Sequence, residues 1–222
     1  ERQMKLTTIM IAALTGLAVS ASAELLEGWE FDDGAGTFLN GVANSGSLNS
    51  VWNFGGANMS TDGSGSLALP GDGGTTTRKV PKKGTANADP LNDLYAVPLA
   101  GSDTYTLEMT FSAWDLAGAT TGDLVNLKAL DPAGTMVALL QLQKDTDTTA
   151  RLRWASGNSS YRNFAVPLTG SSTSISVDFN MAAGTAEYFL DGVSQYTFSG
   201  QTYAGNIGNL VMVKSGSWST AW

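Results

Sequence analysis

The chain contains no cysteine and no histidine. Without them there is no disulfide staple, no thiol nucleophile, no iron–sulfur ligation, no Ser-His-Asp triad and no imidazole-held zinc. Charge is also scarce, at 14% of the 222 residues, and its balance is acidic, with a formal net charge of -8. An acidic surface cannot neutralise a phosphate backbone, so nucleic acid is excluded as a partner. Proline is sparse, at 6 residues against 26 glycines. Hydrophobic residues make up 42% of the chain, and Ser, Thr and Asn are abundant. That composition belongs to a turn-rich β protein, long enough for one domain with a proper core.

Long apolar runs are missing except near the start. From Met4 the chain reads MKLTTIMIAALTGLAVSASA, a basic residue, an apolar run from Ile9 to Val19 and then Ala21-Ser22-Ala23. This is the layout of a secretory signal peptide cleaved after Ala23. The apolar run is shorter than the roughly 20 residues that span a bilayer. Residues 1–23 are therefore read as a signal peptide with an upstream remnant, Glu1-Arg2-Gln3, and residues 24–222 as one secreted domain. No membrane association is expected after cleavage.

Within 24–222, short alternating runs are separated by Gly, Asn, Asp and Ser clusters, the pattern of an antiparallel sandwich. Tyr105 to Trp114 is the clearest strand: Tyr105, Leu107, Met109, Phe111 and Ala113 fall on one face, and Thr106, Glu108, Thr110, Ser112 and Trp114 on the other. Leu124 to Leu130, Met136 to Lys144 and Ala150 to Trp154 read as three consecutive antiparallel strands. They are joined at Asp131-Pro132-Ala133-Gly134 and at Asp145-Thr146-Asp147-Thr148. Further strands are expected at Glu27 to Phe31, Ser66 to Leu69, Asn163 to Val166, Ser174 to Phe179, Ala186 to Leu190, Ser194 to Phe198 and Ile207 to Val213, with a turn at Asp191-Gly192.

Several of these segments resemble a known family. Glu30-Phe31-Asp32-Asp33-Gly34-Ala35-Gly36, followed by Asn44-Ser45-Gly46 and Gly63-Ser64-Gly65-Ser66-Leu67-Ala68-Leu69, looks like the opening of bacterial laminin G-like domains of the concanavalin A-like lectin/glucanase superfamily. Glu187-Tyr188-Phe189-Leu190-Asp191-Gly192-Val193 is similar to that family's apolar strand ending in a D-G hairpin. The resemblance implies an all-β, two-sheet antiparallel jelly-roll sandwich, a concave sheet that often binds glycans, and a structural calcium ion. Two departures stand out. The turn carries Asn44 where the family usually has Asp, and the chain stops after Ser215 to Trp222 where one more strand is usual, so a C-terminal truncation with an open sheet edge is expected.

For calcium, Asp32, Asp33 and Asn44 supply hard oxygen ligands, three where the ion takes about six to eight. The alternative is that Asp32 and Asp33 make turn hydrogen bonds. Asp145 and Asp147 lack the Gly and distal Glu of an EF-hand loop and read as a turn.

The wet face of the sheet is where function is expected. Glu108, Gln141, Gln143, Arg151 and Arg153 alternate with apolar neighbours and are read as one polar ladder across three strands. Sugars are recognised by amides, carboxylates and guanidinium groups that match their hydroxyls and by aromatic rings that stack on them. Trp114 is the preferred platform, with Tyr161, Trp154 and Trp52 as further candidates, against the alternative that these rings fill the core. Arg78, Lys79, Lys82 and Lys83 form a basic cluster on a loop or edge strand, either holding an acidic polysaccharide or discouraging sheet-to-sheet aggregation.

The reading these residues favour is a secreted, non-catalytic carbohydrate-binding or surface-adhesion module whose partner is a polysaccharide or cell-surface glycan. The E-x-D-x-E strand of jelly-roll glucanases is absent, which argues against hydrolysis. Two alternatives stay open. One is a jelly-roll lyase acting on uronic-acid polysaccharide through Gln141, Arg151, Arg153 and Tyr161; the other is a purely structural extracellular module.

Overall fold

Alternation of apolar and polar side chains organises the chain into strands throughout. A computed structural model describes residues 12–13, 24–29, 45–48, 50, 52, 60–61, 67–69, 75–80, 95, 99–101, 103–158, 161–203, 205–216 and 220–221. The short strands are β1 (Ala12–Ala13), β2 (Glu24–Leu25), β3 (Ser60–Thr61), β4 (Leu67–Leu69) and, at the far end, β15 (Thr220–Ala221). Between them run β5 (Thr75–Val80), β6 (Thr104–Asp115), β7 (Leu124–Leu130), β8 (Met136–Lys144) and β9 (Thr149–Ser156). They are followed by β10 (Arg162–Pro167), β11 (Thr169–Asn180), β12 (Thr185–Leu190), β13 (Val193–Phe198) and β14 (Asn209–Ser215).

Two antiparallel sheets carry the architecture: six strands in the order β10-β9-β8-β7-β14-β5 and four in the order β13-β12-β11-β6. The protein is an all-β sandwich. Small ribbons, β1-β2 and β15-β4-β3, accompany them. Among the described residues no helix is long and apolar enough to cross a membrane.

The three expected consecutive strands are present as β7, β8 and β9, the first two with the limits read from the sequence. The first hairpin closes on Asp131, whose carboxylate accepts the Thr135 N–H at 2.6 Å while Gly134 takes φ +85°. The β12–β13 turn has two central residues, Asp191 and Gly192, with φ of +50° and +74°. Positive φ at both is the mirror-image turn that matches the twist of a hairpin, and Asp-Gly suits it. Asp191 then accepts the Ser174 N–H at 2.8 Å, tying the turn to β11. Thr75–Val80 is the edge strand of the larger sheet, so Arg78 and Lys79 lie on an edge strand. Lys82 and Lys83 lie outside the described residues, as do Asp32, Asp33, Asn44, most of the leader segment and the glycine-rich opening motif.

The core lies between the sheets. Val125, Leu127, Leu140, Leu142, Leu152, Trp154, Leu210 and Met212 face Tyr105, Leu107, Met109, Phe111, Ile175, Val177, Phe179 and Tyr188, all at most 7% exposed. Each such side chain contributes about 1.5–3 kcal/mol through burial, in a chain that has no cross-links. Trp154 stacks on Tyr188 with ring centroids 6.3 Å apart, which joins the two sheets at the centre. At their free edges the sheets are joined again. Arg162 of β10 places its guanidinium 4.6 Å from the ring centroids of both Tyr196 and Phe198 of β13.

Candidate functional site

Strand pairing fixes which side chains share the outward face of the six-stranded sheet. One row runs Asn126, Gln141, Arg153, Asn163 across β7 to β10, and the next runs Leu124, Gln143, Arg151, Ala165. A third runs Val211, Lys128, Leu139, Ala155, where Lys128 is half-buried and the other three are buried. The period of two that places Leu127 and Leu140 in the core therefore places Lys128, Arg151 and Arg153 together on the opposite face.

Gln143 is the hub of the arrangement. Its Oε1 accepts from Arg151 Nε at 3.1 Å, Arg151 Nη2 at 2.7 Å and Gln141 Nε2 at 3.0 Å, while its own Nε2 donates to the Gly122 carbonyl at 3.0 Å. Arg151 completes its contacts with an ion pair to Asp145 at 2.8 Å. Arg153 Nε donates to Asn163 Oδ1 at 2.9 Å, and the guanidinium lies 4.3 Å from the centroid of Tyr161, itself 47% exposed. Beside these groups, in the row of Arg153, Asn126 and Gln141 are buried, and Asn126 Oδ1 has no hydrogen-bond partner among the described residues.

The electrostatics follow from composition. Among the described side chains of this face the cations are Lys128, Arg151 and Arg153, and no Asp or Glu holds an outward register position. Asp145, on the β8–β9 turn, is the carboxylate in contact. Burial first, and then the neighbouring Arg151, lower the pKa of Arg153, while Tyr161 and Asp145 oppose the shift. Burial alone lowers that of Lys128.

Gln141, Gln143, Arg151, Arg153 and Tyr161 are thus brought together. Glu108 and Trp114 are not: both belong to β6, in the other sheet. Alternation assigns a residue to a face but not to a sheet, so the expected three-strand ladder loses Glu108 and gains Asn126 and Asn163. Glu108 instead accepts from Ser174 Oγ at 2.7 Å on the outward face of the four-stranded sheet. Trp114, expected as an exposed platform, is buried. Its ring lies across Gly170, where a Cβ would overlap it, and Nε1 donates to the Pro167 carbonyl at 3.0 Å. Trp52 and Trp154 are core residues as well, which leaves Tyr161 as the exposed ring of the four. Asn126, Lys128 and Asn163 were missed, although alternation along Leu124–Leu130 and Arg162–Pro167 places them beside the predicted residues.

The calcium expectation rests on Asp32, Asp33 and Asn44, outside the described residues. Among the described residues no group of three or more acidic, His or Cys side chains is gathered for a metal.

Two antiparallel sheets packed face to face, with a polar row across the outer surface of the larger, make an antiparallel β-sandwich. Among solved structures the chain is similar to the metal-free Emp46p carbohydrate recognition domain, at a TM-score of 0.50 and 12% identity over 77% of this chain and 83% of that one. It is also similar to a Bacillus licheniformis β-glucanase, at 0.45 and 11% over 86% of each. A legume lectin-like domain from Entamoeba histolytica follows at 0.46 and 7%, over 77% of this chain and 85% of that one. At these identities the likeness is one of fold. No family model and no curated protein matches the chain.

Proposed function

We propose that the protein is an exported, non-catalytic carbohydrate-binding module of the laminin G-like type, and that its site is the outward face of β8, β9 and β10. The observation that carries this reading is the side-by-side placement of Gln143, Arg151 and Arg153 with the exposed ring of Tyr161. Planar amide and guanidinium groups match adjacent sugar hydroxyls, and an exposed ring covers an apolar sugar face. Ala165 and Pro167, small and exposed on the edge strand, leave a shelf beside the two arginines. Gln141 acts as a positioning residue, since it is buried and reaches the surface through Gln143.

The non-catalytic reading rests on the same face. A glycosidase needs two carboxylates across the scissile bond, and the described outward register positions here carry amides, cations and apolar side chains.

The test is affinity electrophoresis of the chain against neutral, uronic and sulfated polysaccharides, with absorbance followed in the unsaturated-uronate band. Retention with flat absorbance is the expected result. Rising absorbance would make the protein a lyase, and absence of both signals would leave a structural module.

A further inference from the structure

The acidic chain collects cations where its sheet faces outward. Lys128, Arg151 and Arg153 share one face, and among the described residues only Arg151 has an ionic partner, Asp145. Among the described residues Lys128 has no hydrogen bond or ion pair, and Arg153 engages Nε with Asn163, leaving both terminal nitrogens to donate. The buried Asn126 Oδ1 on the same face is unpartnered among the described residues too. The opposite outward face, on the four-stranded sheet, carries Glu108, Asp178 and Glu187 and no Lys or Arg among its described residues. Charge is therefore sorted between faces, not scattered as a merely solubilising surface would have it.

Resting on the glycan-binding reading, we infer that this face takes a polysaccharide bearing carboxylates, a polyuronate, with the end-on fork of Arg153 on a sugar carboxylate and Lys128 as a second point of attraction. A guanidinium presents parallel N–H groups in one plane, which a planar carboxylate meets with both oxygens. Arg151 and Arg153 follow one another on one face of β9, about 7 Å apart along the strand, and Lys128 stands two strands to the side in the row of Ala155, about 12 Å from Arg153 by strand spacing and rise. The cations are spread over the surface as a polymer with repeated charges requires, and are not gathered around one point as for a single small anion. Gln143 and Asn163 hold the two arginines in place.

The experiment runs the full chain through gels containing polygalacturonate, alginate, carboxyl-reduced polygalacturonate, dextran sulfate or polyglutamate. Retardation by at least one polyuronate is expected, absent with the carboxyl-reduced polymer and weakening as salt is raised. Arg153→Ala and Arg153→Gln should each weaken it roughly ten- to a hundredfold with an unchanged thermal midpoint, and Arg153→Lys should keep part of it. Equal retardation by the carboxyl-reduced polymer would overturn the carboxylate inference and leave glycan binding standing. Preference for dextran sulfate, or equal retardation by polyglutamate, would overturn it as well. No retardation by any sugar polymer would overturn the glycan-binding reading itself.

Discussion

The outward faces of the two sheets are built on the same alternation and finish in opposite chemical states. On the four-stranded sheet the polar side chains are short and close on one another. Thr106 Oγ1 donates to Asp178 at 2.6 Å, Ser174 Oγ to Glu108 at 2.7 Å, and Asn180 Nδ2 to Thr104 Oγ1 at 2.7 Å. On the six-stranded sheet they are long, converge on Gln143, and leave donors over on Arg153 and Lys128. Polarity alone does not mark a binding face. Spare hydrogen-bonding capacity does, because a group already satisfied by its neighbour gains little from a ligand.

The comparison breaks most sharply at Gly170. A valine there would drive its Cβ into the Trp114 ring, which is held by Pro167 and has no room to retreat. Overpacking of this kind costs about 3 kcal/mol, read as a lower urea midpoint, while polysaccharide retention of the folded fraction should change little because Trp114 reaches the binding face only through the Pro167 carbonyl. A drop in retention without a drop in stability would mean that the four-stranded sheet holds the site after all.

A smaller effect is expected at Asp178. Burial raises its pKa, the Thr106 hydrogen bond opposes that, and Glu187 adds to it. A carboxyl whose folded pKa lies above its unfolded value stabilises most while protonated, and that contribution fades as the pH rises through the folded pKa. Asp178→Asn keeps an acceptor for Thr106 and removes the charge. It should therefore stabilise the protein at pH 7 by less than about 0.5 kcal/mol after solvent screening, with no gain below about pH 4. Thermal melts across that range would show it, and a gain that grows on acidification would contradict the assignment.

The smallest effect on stability belongs to Asp145. Its pair with Arg151 is partly exposed on both sides, and such pairs contribute about 0–1 kcal/mol. Asp145→Asn should leave the melting curve nearly unmoved and strengthen polyuronate retention, since it frees a guanidinium. Weaker retention would mean that Asp145 orients Arg151 for the ligand instead of competing with it.

The strands were legible because alternation is a local property. Met136–Lys144 could be bounded from Gly134 on one side and Asp145 on the other, and Asp191-Gly192 could be recognised as a turn because few other pairs accept two positive φ angles. The site was legible only in part. Gln141, Gln143, Arg151 and Arg153 lie on adjacent strands of one hairpin, so their proximity follows from nearest-neighbour pairing. Glu108 has the same alternation but pairs with Ser176, 68 residues away in sequence, and no local pattern tells which sheet a strand joins. Trp114 was misplaced for a different reason: what buries it is the missing side chain of Gly170, a partner 56 residues on. Lys128 and Asn126 follow the same alternation along Leu124–Leu130 and were equally readable.

Arg162 gives the edge of the sandwich a property that neither sheet has alone. β10 and β13 are terminal strands of different sheets, each hydrogen-bonded to a neighbour on one side only, yet one guanidinium rests against two rings of the other strand. Thermal fraying of either strand pulls on that seat. Loss of that seat is therefore expected to loosen both margins together, read as faster amide exchange in β10 and β13 alike in Arg162→Ala.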